Sequence, residues 1–274
     1  MHEAPGDRLA NKGVGHGPGA CPVTFFVLVF VLAVPFWLVG WATGLQLMPG
    51  LPVAGLMFVC PGLAALILAF REGGTARAGA LAGRVFDYRR LRPIVWLAPI
   101  LLLEPLAKTL AFFVLRWSGS QIPVPHIAAL PTMMLCVIFF VSASGEELGW
   151  SGYATEPLQA RWGMVGASLI LGAIWAAFHY VALLEAHRSL PWIAWWTLGT
   201  LAYRVIIVWI YDRAGRSVFA ASLFHMTIDV TWQLFPVSGS FFDPRVSGLI
   251  SAAIAAAVLL AARRRRKPPT AAQV

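Results

Sequence analysis

The chain has 274 residues, of which 59% are hydrophobic and only 12% charged, with a mean hydropathy of +0.73. Soluble domains carry about a quarter charged residues, so this chain is too poor in charge to cover itself with a water-facing surface. A net charge of +9 would point to nucleic acid in a soluble protein, but here the basic residues sit between apolar runs and at the C-terminus, where anionic lipid headgroups are the fitting partner and nucleic acid is not.

Residues 1–22 are bounded by turn-formers and are expected to be disordered, and His2 and His16 within them are given no ligand role. A helix crossing the hydrocarbon needs about 20 mostly apolar residues. Segments near that length lie at 24–42, 53–70, 94–115, 128–154, 163–184, 190–211, 217–235 and 246–262. The expected fold is therefore all-α: a polytopic transmembrane helical bundle of about eight spans. The seventh segment is polar for a span, because it holds His225, Asp229 and Gln233.

Basic residues orient such a chain, since cytoplasmic loops are enriched in Lys and Arg. If the N-terminus is cytoplasmic, the inner segments hold Arg8, Lys12, the arginines from Arg71 to Arg92, Arg161, Arg213, Arg216 and the cluster Arg263 to Lys267. The outer loops then hold only Arg116, Arg188 and Arg245. Both termini are expected to be cytoplasmic. Residues 23–262 read as one transmembrane domain, and 263–274 as a basic cytoplasmic tail. Cys21, Cys60 and Cys136 are odd in number and show no CxxC spacing, so neither a disulfide framework nor a cysteine metal site is read.

Charged side chains in a bilayer core are costly, by about 3 kcal/mol on insertion scales, and usually mark function. Three groups stand out. Glu146 and Glu147 follow the apolar run Met133 to Val141. They are wet if the span ends there, and buried if the helix runs to Ala154, as the small and apolar residues beyond them suggest. The helix stop is expected at Thr155–Glu156, because Pro157 disfavours helix in the residue before it. A buried carboxylate pair suits a general base that takes a proton from water. His179 sits in an apolar helix, where a lone histidine is more often a hydrogen-bonded core residue than a ligand. His225 and Asp229 are i, i+4 and share a helix face. That pair could bind a divalent metal, polarise a carbonyl, or hydrogen-bond internally.

Together these residues place two carboxylates, two histidines and an aspartate on three spans, each able to satisfy the others. At 1.5 Å per residue His225 lies about 12 Å from the inner face and His179 near 24 Å, so a common layer requires the fifth helix to start earlier or to tilt. Glu104 and Lys108, also i, i+4, read as a structural pair. Arg204 has no partner within its own helix, and Glu147 is a candidate.

The motifs Glu146-Glu147-Leu148-Gly149-Trp150-Ser151, Trp175-Ala176-Ala177-Phe178-His179 and His225-Met226-Thr227-Ile228-Asp229 resemble the EExxxR, FxxxH and HxxxN/D motifs of the CPBP intramembrane proteases, the CAAX protease and bacteriocin-processing family. Type II CAAX prenyl endopeptidases are its best-known branch. The resemblance covers about residues 130–235. Ser151 departs from the family arginine, and Trp175 from the usual phenylalanine.

The resemblance implies an intramembrane endopeptidase in a bacterial plasma membrane. Glu146 would activate water with help from His179, and Glu147 would support the site. His225 and Asp229 would stabilise the oxyanion. A divalent metal such as zinc, held by His179, His225 and Glu146, stands as an alternative. The implied substrate is a hydrophobic, membrane-associated or C-terminally modified peptide or protein. The rival readings are a catalytically impaired relative with an immunity or scaffold role, for which Ser151 speaks, and a metal transporter.

Overall fold

The computed structural model describes residues 22–264, so the expected N-terminal segment before Pro22 and most of the basic tail lie outside the described residues. The described chain is almost wholly helical. Its helices are α1 (Pro22–Thr43), α2 (Val59–Ala82), α3 (Leu97–Trp117), α4 (Ala129–Gly149), α5 (Thr155–Glu185), α6 (Leu190–Arg213), α7 (Val218–Leu234) and α8 (Pro244–Arg264). A two-stranded antiparallel ribbon, β1 (Gln46–Met48) with β2 (Leu51–Pro52), links α1 to a 3₁₀ turn before α2. No sequence pattern announced this ribbon.

Among the described residues six helical segments are long and apolar enough to cross a membrane: Pro22–Thr43, Val53–Phe86, Ile94–Trp117, Ala129–Glu185, Leu190–Arg213 and Pro244–Ala262. The protein is accordingly a polytopic helical membrane bundle. Its outer surface fits that setting. On α1 a stripe of Phe25, Val29, Ala33 and Gly40 is buried, while Val23, Val27, Val31, Leu38 and Trp41 face outward. Exposed apolar rows of this extent are absent from soluble monomers and are what acyl chains contact.

Residues 129–185 do not form one rod. Glu146 and His179 lie 33 positions apart, about 50 Å along a straight helix, yet approach within 3.8 Å. The chain doubles back at Gly163, whose φ of 65° lies in the left-handed region that favours glycine. The expected stop at Thr155–Glu156 is thus corrected. Helix continues through a wide π turn at Trp150–Ala154 into α5. Pro157 sits inside this continuous helix just after the π turn, where the hydrogen-bond ladder is already widened, so its missing N–H does not end the helix. Thr155 Oγ1 donates to Trp150 O at 2.8 Å and occupies one carbonyl of the widened turn.

A polar network around Arg84 and Asp87 fixes this turn and the start of α7. Arg84 Nη1 donates to Gly152 O at 3.0 Å, and Nη2 to Tyr211 Oη at 2.7 Å. Asp87 accepts from Ser217 Oγ and from the backbone N–H groups of Val218 and Phe219. Ser217 Oγ in turn accepts from Ala220 N at 3.1 Å. A carboxylate and a Ser N-cap together satisfy the free N–H groups of α7 and complement its dipole, which fixes the helix that carries His225.

The backbones of α2 and α4 approach closely at glycines. A Cβ built on Gly62 would lie 2.6 Å from Gly145 O, and one on Gly149 would strike the Pro61 carbonyl. This approach sets where α4 presents the two glutamates that follow Gly145. Gly62→Val is therefore expected to destabilise the fold by about 2 kcal/mol, since a backbone carbonyl cannot move aside as a side chain can. Gly79→Ala, where a Cβ meets nothing within 4 Å, serves as the control and should leave the unfolding midpoint unchanged or raised. Thermal unfolding in detergent, read by circular dichroism, checks both; equal midpoints for the two variants would refute the close-approach argument.

Candidate active site

Successive residues of a helix point about 100° apart, so two adjacent glutamates cannot face the same neighbours. Glu147 turns inward and is fully buried. Its Oε1 and Oε2 accept from Arg204 Nη1 of α6 at 3.0 and 2.9 Å. Oε1 also lies 3.0 Å from His225 Nδ1 of α7, and Oε2 accepts from the Ser151 hydroxyl one turn further along. Three helices therefore meet on one carboxylate, and the sequence-level pairing of Arg204 with Glu147 is the pairing the structure has. Arg161 lies away from this carboxylate, over the Trp162 ring at 5.1 Å.

Glu146 faces α5. Its Oε2 accepts from two indole N–H groups, Trp150 Nε1 at 3.1 Å and Trp175 Nε1 at 2.7 Å. Its Oε1 has no hydrogen bond among the described residues and stands 3.8 Å from His179 Nε2. That gap is too long for a direct hydrogen bond and suits a shared water. His179 Nδ1 is committed to Trp175 O at 2.8 Å, one turn back, which leaves Nε2 as the working atom.

Asp229 sits one turn beyond His225, with Oδ2 3.8 Å from His225 Nε2. Glu146, His179 and Asp229 line one cavity of about 600 Å³, mostly apolar, roofed by the β ribbon and the turn before α2. All five residues singled out in the sequence, Glu146, Glu147, His179, His225 and Asp229, thus gather in one layer. They divide into a fully buried half, Glu147 and His225, and a half facing the cavity.

The indoles of Trp150 and Trp175 were missed as participants, although Trp150 is i+4 from Glu146 and its place on the same face was readable. Trp175 also packs edge-on against His225, with ring centroids 5.0 Å apart. Glu104 and Lys108 lie off this centre. Lys108 Nζ donates to Glu104 Oε1 at 2.5 Å and to Tyr203 Oη at 2.6 Å, a structural pair as expected, with Lys108 on the cavity wall.

A metal would have to be held by the free atoms of His179, His225 and Glu146. No three His, Cys, Asp or Glu side chains among the described residues are grouped to hold one ion. Nδ1 of each histidine and Oε2 of Glu146 have protein partners, which leaves Nε2 of both rings and Oε1 of Glu146 as the atoms that would face an ion. As placed these atoms are not drawn together into a three-ligand group, and the chemistry below uses no metal.

The model of the type II CAAX prenyl endopeptidase Rce1-like family matches residues 128–231, the stretch that holds α4, α5, α6 and most of α7. A curated relative, CAAX prenyl protease 2 of Methanococcus maripaludis, is 25% identical over 257 residues, covering 85% of this chain and 92% of the relative. Both findings bear out the family resemblance carried by the three motifs, that of a CAAX-type intramembrane protease.

Proposed function

We propose that the protein is an intramembrane endopeptidase in which Glu146 activates a water molecule for attack on a peptide carbonyl. The observation that carries this reading is the split role of one carboxylate. Oε2 of Glu146 is held by two neutral donors, while Oε1 is free and faces His179 Nε2 across 3.8 Å. A water seated between them can give a proton to Glu146 as its oxygen attacks. The tetrahedral intermediate then collapses, the C–N bond breaks, and Glu146 returns the proton to the leaving amine.

The developing oxyanion falls to the α7 pair, His225 through an Nε2–H and Asp229 through a carboxyl proton, since an ionised carboxylate would repel it. His225 is fixed through Nδ1 by Glu147, so its Nε2 is turned toward Asp229, which lines the cavity. A doubly protonated ring offers an Nε2–H to the oxyanion. Such pre-placed donors are worth about 3 kcal/mol each in soluble proteases. The apolar cavity fits a hydrophobic segment of a membrane-associated or C-terminally modified substrate. The relative's printed name, a prenyl protease, favours a lipid-modified one.

The membrane arrangement belongs to the same proposal. Residues 129–185 cross twice, because they double back at Gly163, and the buried α7 crosses as the polar span. That makes eight crossings with both termini cytoplasmic. The reading of a non-catalytic relative rested on Ser151 and on the ordinary core role open to each histidine; Arg204 meets the demand that a missing arginine at 151 creates.

Two outcomes test the chemistry. Glu146→Gln should lower kcat on fluorogenic hydrophobic peptides by about 100-fold or more, with an unchanged unfolding midpoint. Wild type should keep its rate in the presence of a chelator; loss of cleavage on chelation, restored by added zinc, would replace the glutamate route with a metal one. Asp229→Asn keeps the shape and adds an N–H donor, so its kcat should stay within about tenfold of wild type, while Asp229→Leu should lose about 100-fold. The reverse order, Leu better than Asn, would remove Asp229 from oxyanion stabilisation.

A further inference from the structure

Residue 151 and Arg204 address the same carboxylate from two helices. Ser151 follows Glu147 by four positions, is fully buried, and donates its hydroxyl to Glu147 Oε2. Arg204, from α6, is likewise fully buried and donates through Nη1 to both oxygens. Its Nε and Nη2 have no hydrogen-bond partner, so hydrogen bonding alone does not account for how the guanidinium is held. Its flat face does: Arg204 Cζ lies 4.4 Å from the centre of the Trp175 ring, an approach at which cation and ring attract.

That same Trp175 donates its indole N–H to Glu146. One guanidinium thus touches the carboxylate of Glu147 and the ring that clamps Glu146. The backbone makes room for it, since a Cβ on Gly172, three residues before Trp175, would lie 3.3 Å from Arg204 Cβ.

We infer that Arg204 is a positioning residue for the reaction: from α6 it supplies the counter-charge to Glu147 that residue 151 lacks in this chain, and through Trp175 it fixes the oxygen of Glu146 that does not react. The inference rests on the peptidase reading for its catalytic half. Its electrostatic half, the placing of the counter-charge, stands without that reading. Because the two side chains converge on one carboxylate, moving the guanidinium from 204 to 151 should preserve the pair, provided that the volume of Arg204 is vacated at the same time.

The experiment compares wild type, Arg204→Met, the relocated Ser151→Arg/Arg204→Met, and the neutralised Glu147→Gln/Arg204→Met. Unfolding midpoints in detergent are measured alongside kcat and KM on a fluorogenic hydrophobic peptide, well below the lowest midpoint. Arg204→Met should lower the midpoint sharply, because it leaves a buried carboxylate unpaired. It should also cut kcat about 100-fold with KM within about threefold, the size of loss that follows a displaced catalytic group.

The relocated variant should recover the midpoint and bring kcat to within about tenfold of wild type. The neutralised pair should recover the midpoint and leave kcat low, which separates positioning from folding. If Arg204→Met does not fold, the relocated and neutralised variants carry the test.

Wild-type kcat in the neutralised pair would make Arg204 purely structural and overturn the inference. So would a relocated variant that recovers neither midpoint nor rate. A wild type that cleaves no peptide refutes the peptidase reading and with it the catalytic half. Recovery of the midpoint on relocation then still decides the electrostatic half.

Discussion

The structure depends on an ion pair taken out of both water and lipid. Glu147 and Arg204 are fully buried, and each charge would be prohibitive there without the other. Their contact joins α4 to α6, and the approach of His225 to the same carboxylate joins both to α7. A bilayer provides no hydrophobic drive to bring helices together, so polar contacts and close backbone packing must choose which helices meet. The glycine-lined approach of α2 to α4 and the Asp87 clamp on the start of α7 are the two other devices that set the layer.

Helix geometry then does with two adjacent residues what would otherwise need two separate elements. One glutamate turns into the bundle and is saturated by a guanidinium, an imidazole and a hydroxyl. The next one back turns toward the cavity and keeps an unoccupied oxygen. The π turn that follows lets Trp150 reach Glu146 and Ser151 reach Glu147, each at i+4. Such widened turns recur at functional sites, where they re-aim side chains without ending the helix.

The three polar groups were legible in the sequence because a charge within an apolar run is conspicuous at any register. Their convergence was legible only as a requirement: each needed partners, and the other polar groups within the spans were the candidates. What local pattern could not supply was the path of the chain. Pro157 marked a stop that the structure lacks, since the helix is already widened into a π turn just before it and continues past the proline. The true reversal falls at Gly163, one of several glycines with positive φ, and nothing in the local sequence sets it apart. The β ribbon at 46–52 is too short for a periodic signal. The Arg84 network joins residues from distant parts of the chain, and one sequence carries no trace of that pairing.

The choice of donors around the two glutamates explains why they can differ in role at so small a separation. A guanidinium gives Glu147 a full counter-charge along with hydrogen bonds, and so holds it as an anion whose place is structural. An indole gives one N–H and no charge. Two indoles therefore fix Glu146 in direction while leaving it without a formal positive neighbour in hydrogen-bonding contact, free to take up a proton from water. Trp175 links the two arrangements, because its edge serves Glu146 while its face receives Arg204. Phenylalanine at that position could receive the cation but could not donate the hydrogen bond. The tryptophan, which stands where the family this chain resembles usually has phenylalanine, is thus the atom-level connection between the structural carboxylate and the one proposed to react.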